Sequence, residues 1–224
     1  IITDLELESY GLTYLDVDPL FFAPFPNGKQ ITIWRDVDRT CESIAQVSPA
    51  DAEAYRDFIE TWTPMARAMV KSFIHPPTLV NFGRHLVLGS GMWRDSLPYL
   101  SEILHGYGQF VRQNFESPEL RALIAWMASQ SGPPPTEPMS APFALWHPMY
   151  HVSGVKRPEG GSGMLTQALA RMIEDHGGEI TLDAPVRRIL VEDGRAVGVE
   201  TADGRRITGR AVVSGANVHT TLDL

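Results

Sequence analysis

The stretch that decides the fold opens Gly160-Gly161-Ser162-Gly163, continues through Met164, Leu165, Ala168, Leu169, Met172 and Ile173, and stops at Gly177-Gly178. Apolar residues three and four apart describe one face of a helix, and glycine after the last of them supplies the left-handed conformation that ends helices. A short strand is predicted over residues 179–182, followed by three runs at 186–191, 196–201 and 206–208. Asp193-Gly194 and Asp203-Gly204 separate these runs, and Asp-Gly tolerates the positive φ angles of hairpin turns, so the pattern predicts an antiparallel three-stranded meander. Ala211-Val212-Val213 is a short continuous apolar run, the pattern of a strand buried on both faces of a parallel sheet. A meander feeding such a strand reads as an excursion from a larger sheet.

Upstream the character differs. Residues 1–47 read as β-rich: 13–17 has strand character, and Asn27-Gly28 lies between Phe21-Phe22 and the alternating Ile31-Thr32-Ile33-Trp34, predicting a tight hairpin whose first strand is held to a sheet edge by Pro24 and Pro26. Residues 48–131 read as helical. Ser48-Pro49-Ala50-Asp51 places a capping hydroxyl, a proline at the first helical position and an acid in the first turn. Tyr55, Phe58, Ile59 and Trp62 follow on one face, Pro64 is expected to kink or break the helix, and His75-Pro76-Pro77 ends it. A second helix is predicted from near Ser96 through Leu100, Ile103, Leu104, Tyr107, Phe110 and Val111, interrupted in propensity by Gly106 and Gly108. A third opens at Ser117-Pro118-Glu119 and carries Leu120, Leu123, Ile124 and Met127. Gly132-Pro133-Pro134-Pro135 is a stop, and 132–158 reads as loop and strand. The fold class is α+β.

Composition restricts function. The 224 residues include 43% hydrophobic and 21% charged, enough to bury a core. A net charge of −8 is the wrong sign for a domain that neutralises phosphates, which argues against nucleic acid as a partner. Cys41 is the single cysteine, so there is no disulfide framework and no multi-cysteine zinc site, and a reducing, cytoplasmic location is expected. No run reaches the 18 or so apolar residues of a membrane span. The chain begins Ile1-Ile2-Thr3 without an initiator Met or signal pattern and ends at Leu224, which reads as a piece of something longer.

Few side chains suggest catalysis. Gly161-Ser162-Gly163 with Asp183 twenty residues on imitates a dinucleotide fingerprint, but Thr166 stands at the third glycine position and Lys156-Arg157-Pro158-Glu159 does not read as the required strand. Close packing and a helix start are the favoured reading of these glycines. His147 and His151 are four apart, as on a ligand-presenting helix face, but Pro148 opposes helix continuity and no Glu completes a protease pattern, so structural or surface roles are favoured and no metal site is assigned. His75, His85, His105, His176 and His219 have no partners at suggestive spacing. Ser162 lacks a nucleophile elbow and Cys41 a base. Trp62, Met65, Met69, Phe73, Met92, Trp93, Tyr107, Phe110, Phe115, Trp126 and Met127 are mostly core, with some available to line an apolar ligand pocket. A membrane-facing patch on these helices is the weaker alternative, because they lack a strongly basic polar face.

The run from Pro158-Glu159-Gly160-Gly161 through Gly177-Gly178-Glu179-Ile180, Ala184-Pro185-Val186, Ile189, Asp193-Gly194-Arg195-Ala196-Val197-Gly198-Val199 and Val212-Val213-Ser214-Gly215-Ala216-Asn217 resembles the phytoene desaturase-like family of FAD-dependent oxidoreductases. Phe25-Pro26-Asn27-Gly28, Asp36 and Ser48-Pro49-Ala50-Asp51-Ala52 are similar to that family's middle region. The resemblance implies that 159–224 is part of an FAD-binding domain assembled from separated stretches, and that 1–158 is a substrate-binding region enclosing an apolar, isoprenoid-type compound. It implies that the backbone of Val186 borders the adenine end of FAD and that Ser214, Gly215 and Ala216 return beside the cofactor. Hydride transfer to flavin would explain why no side-chain catalytic constellation stands out. The family's N-terminal glycine fingerprint and C-terminal glycine-rich segment match nothing here, which implies that these 224 residues alone hold FAD weakly or not at all and are inactive. Two alternatives stay open: a non-catalytic ligand-binding or interaction protein on the same scaffold, and an amine oxidase-like flavoenzyme.

Overall fold

In the computed structural model, which describes residues 2–76, 78–84 and 101–224, the chain divides into Thr13–Gly161 and a second unit made of Ile1–Leu12 with Ser162–Leu224. The first unit begins with β1 (Tyr14–Val17), followed by β2 (Phe21–Pro24) and β3 (Gln30–Ile33), an antiparallel hairpin with Phe21 opposite Ile33 and Pro24 opposite Gln30. Its turn is longer than the Asn27-Gly28 pair predicted. Gly28 N–H donates to the Phe25 carbonyl and Phe25 N–H to the Lys29 carbonyl, and only Gly28 has positive φ, at 81°. Pro26 and Asn27 therefore fill the central positions, because proline presets the φ of a first turn residue. The other edge of β3 is covered by α1 (Val37–Ala45): the Thr32 and Trp34 amides, two apart and so on one edge, donate to Ser43 Oγ and Thr40 Oγ1, each at 2.9 Å.

The helix α2 (Pro49–Phe73) starts at Ser48, whose side chain accepts the Asp51 amide as expected, and runs 25 residues. It continues through Pro64. A proline there leaves the Glu60 carbonyl without its helical donor, a cost of about 3 kcal/mol. Burial of Trp62, Met65, Ala66 and Ala68 on both sides of Pro64 outweighs it. After the short α3 (Leu79–Gly83), the predicted start of the second long helix, and Met92 and Trp93 with it, lie outside the described residues. Within them the predicted helix is divided into a 3₁₀ turn at Glu102–Leu104 and α4 (Tyr107–Asn114), with Gly106 as N-cap. The break follows from close backbone approach: a Cβ on Gly106 would lie 2.5 Å from the Pro135 carbonyl oxygen, to which Gly108 N–H donates.

Ser117 caps α5 (Pro118–Ser129), as its sequence predicts. A 3₁₀ turn at Ala141–Leu145 leads into α6 (Trp146–Ser153). Pro148 does not prevent this helix, because it is the third residue, where an amide has no intrahelical acceptor to lose. The unit closes with β4 (Val155–Pro158), antiparallel to β1. Residues 156–158 thus are extended after all, although their partner is a two-stranded ribbon. The core of this unit gathers Ile31 and Ile33 from β3, Ile44 from α1, Tyr55, Phe58 and Trp62 from α2, Phe110 from α4, Ile124 from α5 and Leu145.

In the second unit, α7 (Gly163–Asp175) carries the predicted apolar face, of which Ala168 is fully buried. Residues 2–12 sit here: Arg171 donates to the Tyr10 carbonyl at 2.9 Å and Tyr10 Oη to Asp175 at 2.8 Å, two contacts from one helix face four residues apart. The meander is β5 (Val186–Glu192), β6 (Arg195–Thr201) and β7 (Arg206–Thr208), antiparallel in that order. Asp193 and Gly194 both have positive φ, 48° and 75°, the two-residue turn predicted. Residues 179–182 form no strand, and 211–213, predicted to be a buried strand, are irregular with Val213 95% exposed. A strand needs a ladder partner, and among the described residues neither segment has one. The unit ends in α8 (Val218–Asp223), capped by Asn217.

Candidate functional site

Val186 opens β5 opposite Thr201 and is 38% exposed. Ser214, Gly215 and Ala216 form the exposed turn before α8, where Ser214 Oγ accepts the Ala216 amide and lies 2.8 Å from Thr221 Oγ1. A Cβ on Gly215 would meet nothing within 4 Å. The backbone at Ser214, Gly215 and Ala216 is open to approach. None of the four positions carries a buried polar side-chain atom without a hydrogen-bond partner.

Gly161 and Gly163, at the start of α7, do not serve close packing. Gly160 and Gly161 have positive φ, 82° and 101°, and a Cβ at Gly161 or Gly163 would meet nothing within 4 Å. What the sequence requires there is a turn conformation rather than room for a neighbour.

A groove of about 350 Å³ lies between β2 with its turn and α5, lined by Phe21, Phe22, Ala23, Phe25, Ala122, Leu123 and Trp126. None of these side chains is ionisable. Ala122, Leu123 and Trp126 share a helix face by their three- and four-residue spacing. Phe22 and Trp126 stand at its rim, 58% and 54% exposed. Of the aromatic and methionine residues singled out from the sequence, Trp62, Met65, Tyr107, Phe110, Phe115 and Met127 are core, Phe73 is exposed and, among the described residues, Trp126 alone lines this groove. The hairpin phenylalanines are the part sequence reasoning missed. Phe21-Phe22-Ala23 reads as strand, and nothing in it shows which helix will face it.

One end of this region is fixed by charge. Glu119, in the first turn of α5, accepts Asn27 Nδ2 at 2.6 Å and pairs with Lys29 Nζ at 3.2 Å, while its residue is only 5% exposed. The hydrogen bond from Asn27 foremost holds its carboxyl below the ordinary range, so it stays ionised and ties the hairpin turn to α5. On the meander, Glu200 accepts Arg206, Arg188 and Arg187 at 3.1–3.3 Å, with Arg206 chiefly lowering its pKa.

His147 and His151 do share a helix face, but both converge on Tyr55 Oη, at 3.1 and 2.9 Å. Burial lowers the His147 pKa to about 3, lowers that of His151 and raises Tyr55 well above its ordinary value. Among the described residues no three His, Cys, Asp or Glu side chains are grouped to hold a metal ion. No described helix is long and apolar enough to cross a membrane.

The family profile described as flavin containing amine oxidoreductase matches residues 2–221. One of the limonene dehydrogenase subunits of Castellaniella defragrans is 30% identical over 97% of this chain and 40% of its own length. Phytoene desaturases (lycopene-forming) of a Paracoccus species and of Pantoea ananas are each 29% identical, over 92% and 98% of this chain and 40% and 43% of theirs. The chain thus spans about two fifths of the length of these curated relatives. With a profile match over nearly its whole length, and similarity to phytoene desaturases across most of it, the chain belongs to the flavin-containing amine oxidoreductase family.

Proposed function

We propose that the protein carrying this chain is an FAD-dependent oxidoreductase that oxidises an apolar, isoprenoid-type hydrocarbon. The observation that carries this reading is the groove between β2 and α5, aromatic and aliphatic with no ionisable lining residue, in a chain whose family is flavin-containing. Its volume falls at the lower end of the roughly 300–1,000 Å³ usual for ligand sites. The names of the relatives support the substrate class, since limonene and phytoene are isoprenoid hydrocarbons without a charged group. FAD, when bound, supplies the hydride acceptor. The chain's own residues have simpler tasks. Thr13–Gly161 binds and desolvates the substrate; Val186, Ser214, Gly215 and Ala216 border the cofactor. The 224-residue chain alone retains FAD weakly or not at all and is inactive, a reading supported by its covering two fifths of its relatives and by the exposure of those four positions.

Anaerobic mixing of the FAD-loaded longer protein with isoprenoid hydrocarbons, fatty compounds and amines tests the first reading. Bleaching of the flavin by the hydrocarbons, lost in Leu123→Arg with flavin content unchanged, is the expected result. Bleaching by amines alone would point to an amine oxidase-like enzyme, and a flavin that no reductant class bleaches to a non-catalytic scaffold. Stoichiometric yellow flavin on the purified 224-residue chain would overturn the second reading.

A further inference from the structure

Tyr55 of α2 lies between two histidines of α6, and the polarity of their hydrogen bonds is set from one end. His151 Nδ1 is 3.0 Å from the backbone oxygen of Arg35, which has lone pairs only, so Nδ1 carries the proton. Neutral His151 therefore presents a bare lone pair at Nε2, 2.9 Å from Tyr55 Oη, and takes the phenol hydrogen. With that hydrogen committed, Tyr55 Oη accepts from His147 Nδ1 at 3.1 Å, which places the His147 proton on Nδ1 as well. His147 Nε2 is left as an acceptor, buried in a residue 1% exposed and without a partner among the described residues. Each bond follows from the one before it. The chain runs His147 to Tyr55 to His151 to the Arg35 carbonyl.

It does not run the other way. A proton on His151 Nε2 would donate to Tyr55 Oη, and the phenol hydrogen would have to turn toward His147 Nδ1. His147 would then carry its proton on Nε2, facing no protein acceptor, or else keep it on Nδ1 and leave the phenol hydrogen stranded. Either outcome buries a donor unpaired, at a typical cost of about 1–3 kcal/mol. Among the described residues nothing stands within hydrogen-bonding distance of His147 Nε2. Facing the cluster are Asp36, whose carboxylate acts through space on His151, the Cys41 thiol of α1, which burial keeps protonated, and the phenyl rings of Phe58 and Phe115. Asp38 is committed to Arg56, and Ala141–Leu145 carries no ionisable side chain. On α5, Glu119 is held by Asn27 and Lys29, and Arg121 donates to the Phe115 and Arg112 carbonyls.

We infer that Tyr55, His147 and His151 form a one-way hydrogen-bonded latch that joins α6 to α2 and to the Arg35 turn while both imidazoles are neutral, and that opens when His151 takes up a second proton. His151 is only partly buried, so the proton reaches it from solvent. Burial opposes its protonation and the Arg35 carbonyl and Asp36 favour it, which places opening below the ordinary histidine range.

Histidine ¹⁵N NMR of the 224-residue chain reads the latch directly. At about pH 7.5 both His147 and His151 are expected as the Nδ1–H tautomer with a bare Nε2, the minor form of free histidine, with signals assigned through Tyr55→Phe and His151→Gln. Amide exchange in α6, corrected for intrinsic rate, is expected to rise at least about tenfold between about pH 7.5 and about pH 5, and to stay flat in His151→Gln. An Nε2–H tautomer or an imidazolium at either position near neutral pH overturns the latch. So does α6 exchange that is unchanged by acid, or that responds equally in His151→Gln. Should that variant fail to fold, the wild-type tautomers decide alone.

Discussion

Asp51 is wholly buried in the first turn of α2, and both of its oxygens are committed: Oδ1 accepts the Glu116 amide and Oδ2 the Ser117 amide, each at 2.7 Å. Those amides begin the turn into α5, so a helix-capping acid at one place in the sequence fixes a helix start 66 residues on. Hydrogen bonds to a charged group are worth about 1.5–3 kcal/mol each. Asp51→Ala should therefore destabilise Thr13–Gly161 by about 3 kcal/mol or more in urea unfolding, and Asp51→Asn, which keeps one acceptor, by about half that. Equal stability of Asp51→Ala and wild type would show that these bonds contribute nothing net. The sequence makes Asp51 legible as a first-turn acid and Asn27 as a turn residue. Neither the Asp51 clamp on α5 nor the bond from Asn27 to Glu119, 92 residues away, follows from any local pattern. The same is true of Tyr55, whose helix face marks it as core while its hydroxyl partners come from α6.

At the scale of elements, what is legible is what local chemistry controls. The caps at Ser48 and Ser117, the pairing of β2 with β3 around a turn longer than Asn27-Gly28 alone, α7 with its glycine stop and the meander stand where spacing and turn residues put them. Two kinds of departure show what local chemistry leaves open. Pro64 and Pro148 read as helix breakers, but packing outweighs the first and position excuses the second. Residues 179–182 and 211–213 have strand composition without strand partners, and propensity does not supply a ladder. Glycines make the contrast measurable. Gly106→Ala forces a Cβ to 2.5 Å from the Pro135 oxygen and should cost about 1–3 kcal/mol with loss of order in the loop over α4. Gly163→Ala meets nothing within 4 Å at ordinary helical φ and should be neutral or stabilise α7 by up to about 1 kcal/mol. Thermal unfolding of the two variants checks both signs. Flavin affinity in the flavoprotein proposed above adds a second readout, because a phosphate approaching Gly163 would make that alanine harmful to flavin binding while leaving stability unharmed.

For the molecule as a whole, the groups that titrate below neutral pH agree in sign. His147 has a folded pKa of about 3 against an ordinary 6.5, and His151 is also lowered, so below about pH 6.5 the unfolded chain binds protons that the folded chain refuses. Their contribution is complete above that pH and is lost as pH falls toward the folded values. Glu119, Glu200 and Asp203 are lowered by their hydrogen-bonding partners, and their contribution, present above ordinary carboxylate values, is lost in the same direction at lower pH. Stability should be level from about pH 8 to 6.5 and then decline at about 1.4 kcal/mol per pH unit for each proton taken up. Urea midpoints across that range give the measurement, and a curve that stays level to pH 5 would contradict the buried-histidine assignments. The exposed apolar side chains of the second unit have a different outcome. Leu182, Val213, Val218 and Leu222 are 65–95% exposed on a chain of net charge −8. Dissolved at low ionic strength, mutual repulsion keeps such molecules apart; added salt screens that repulsion while strengthening contact between oily surfaces, so the protein's colloidal stability is governed by its buffer.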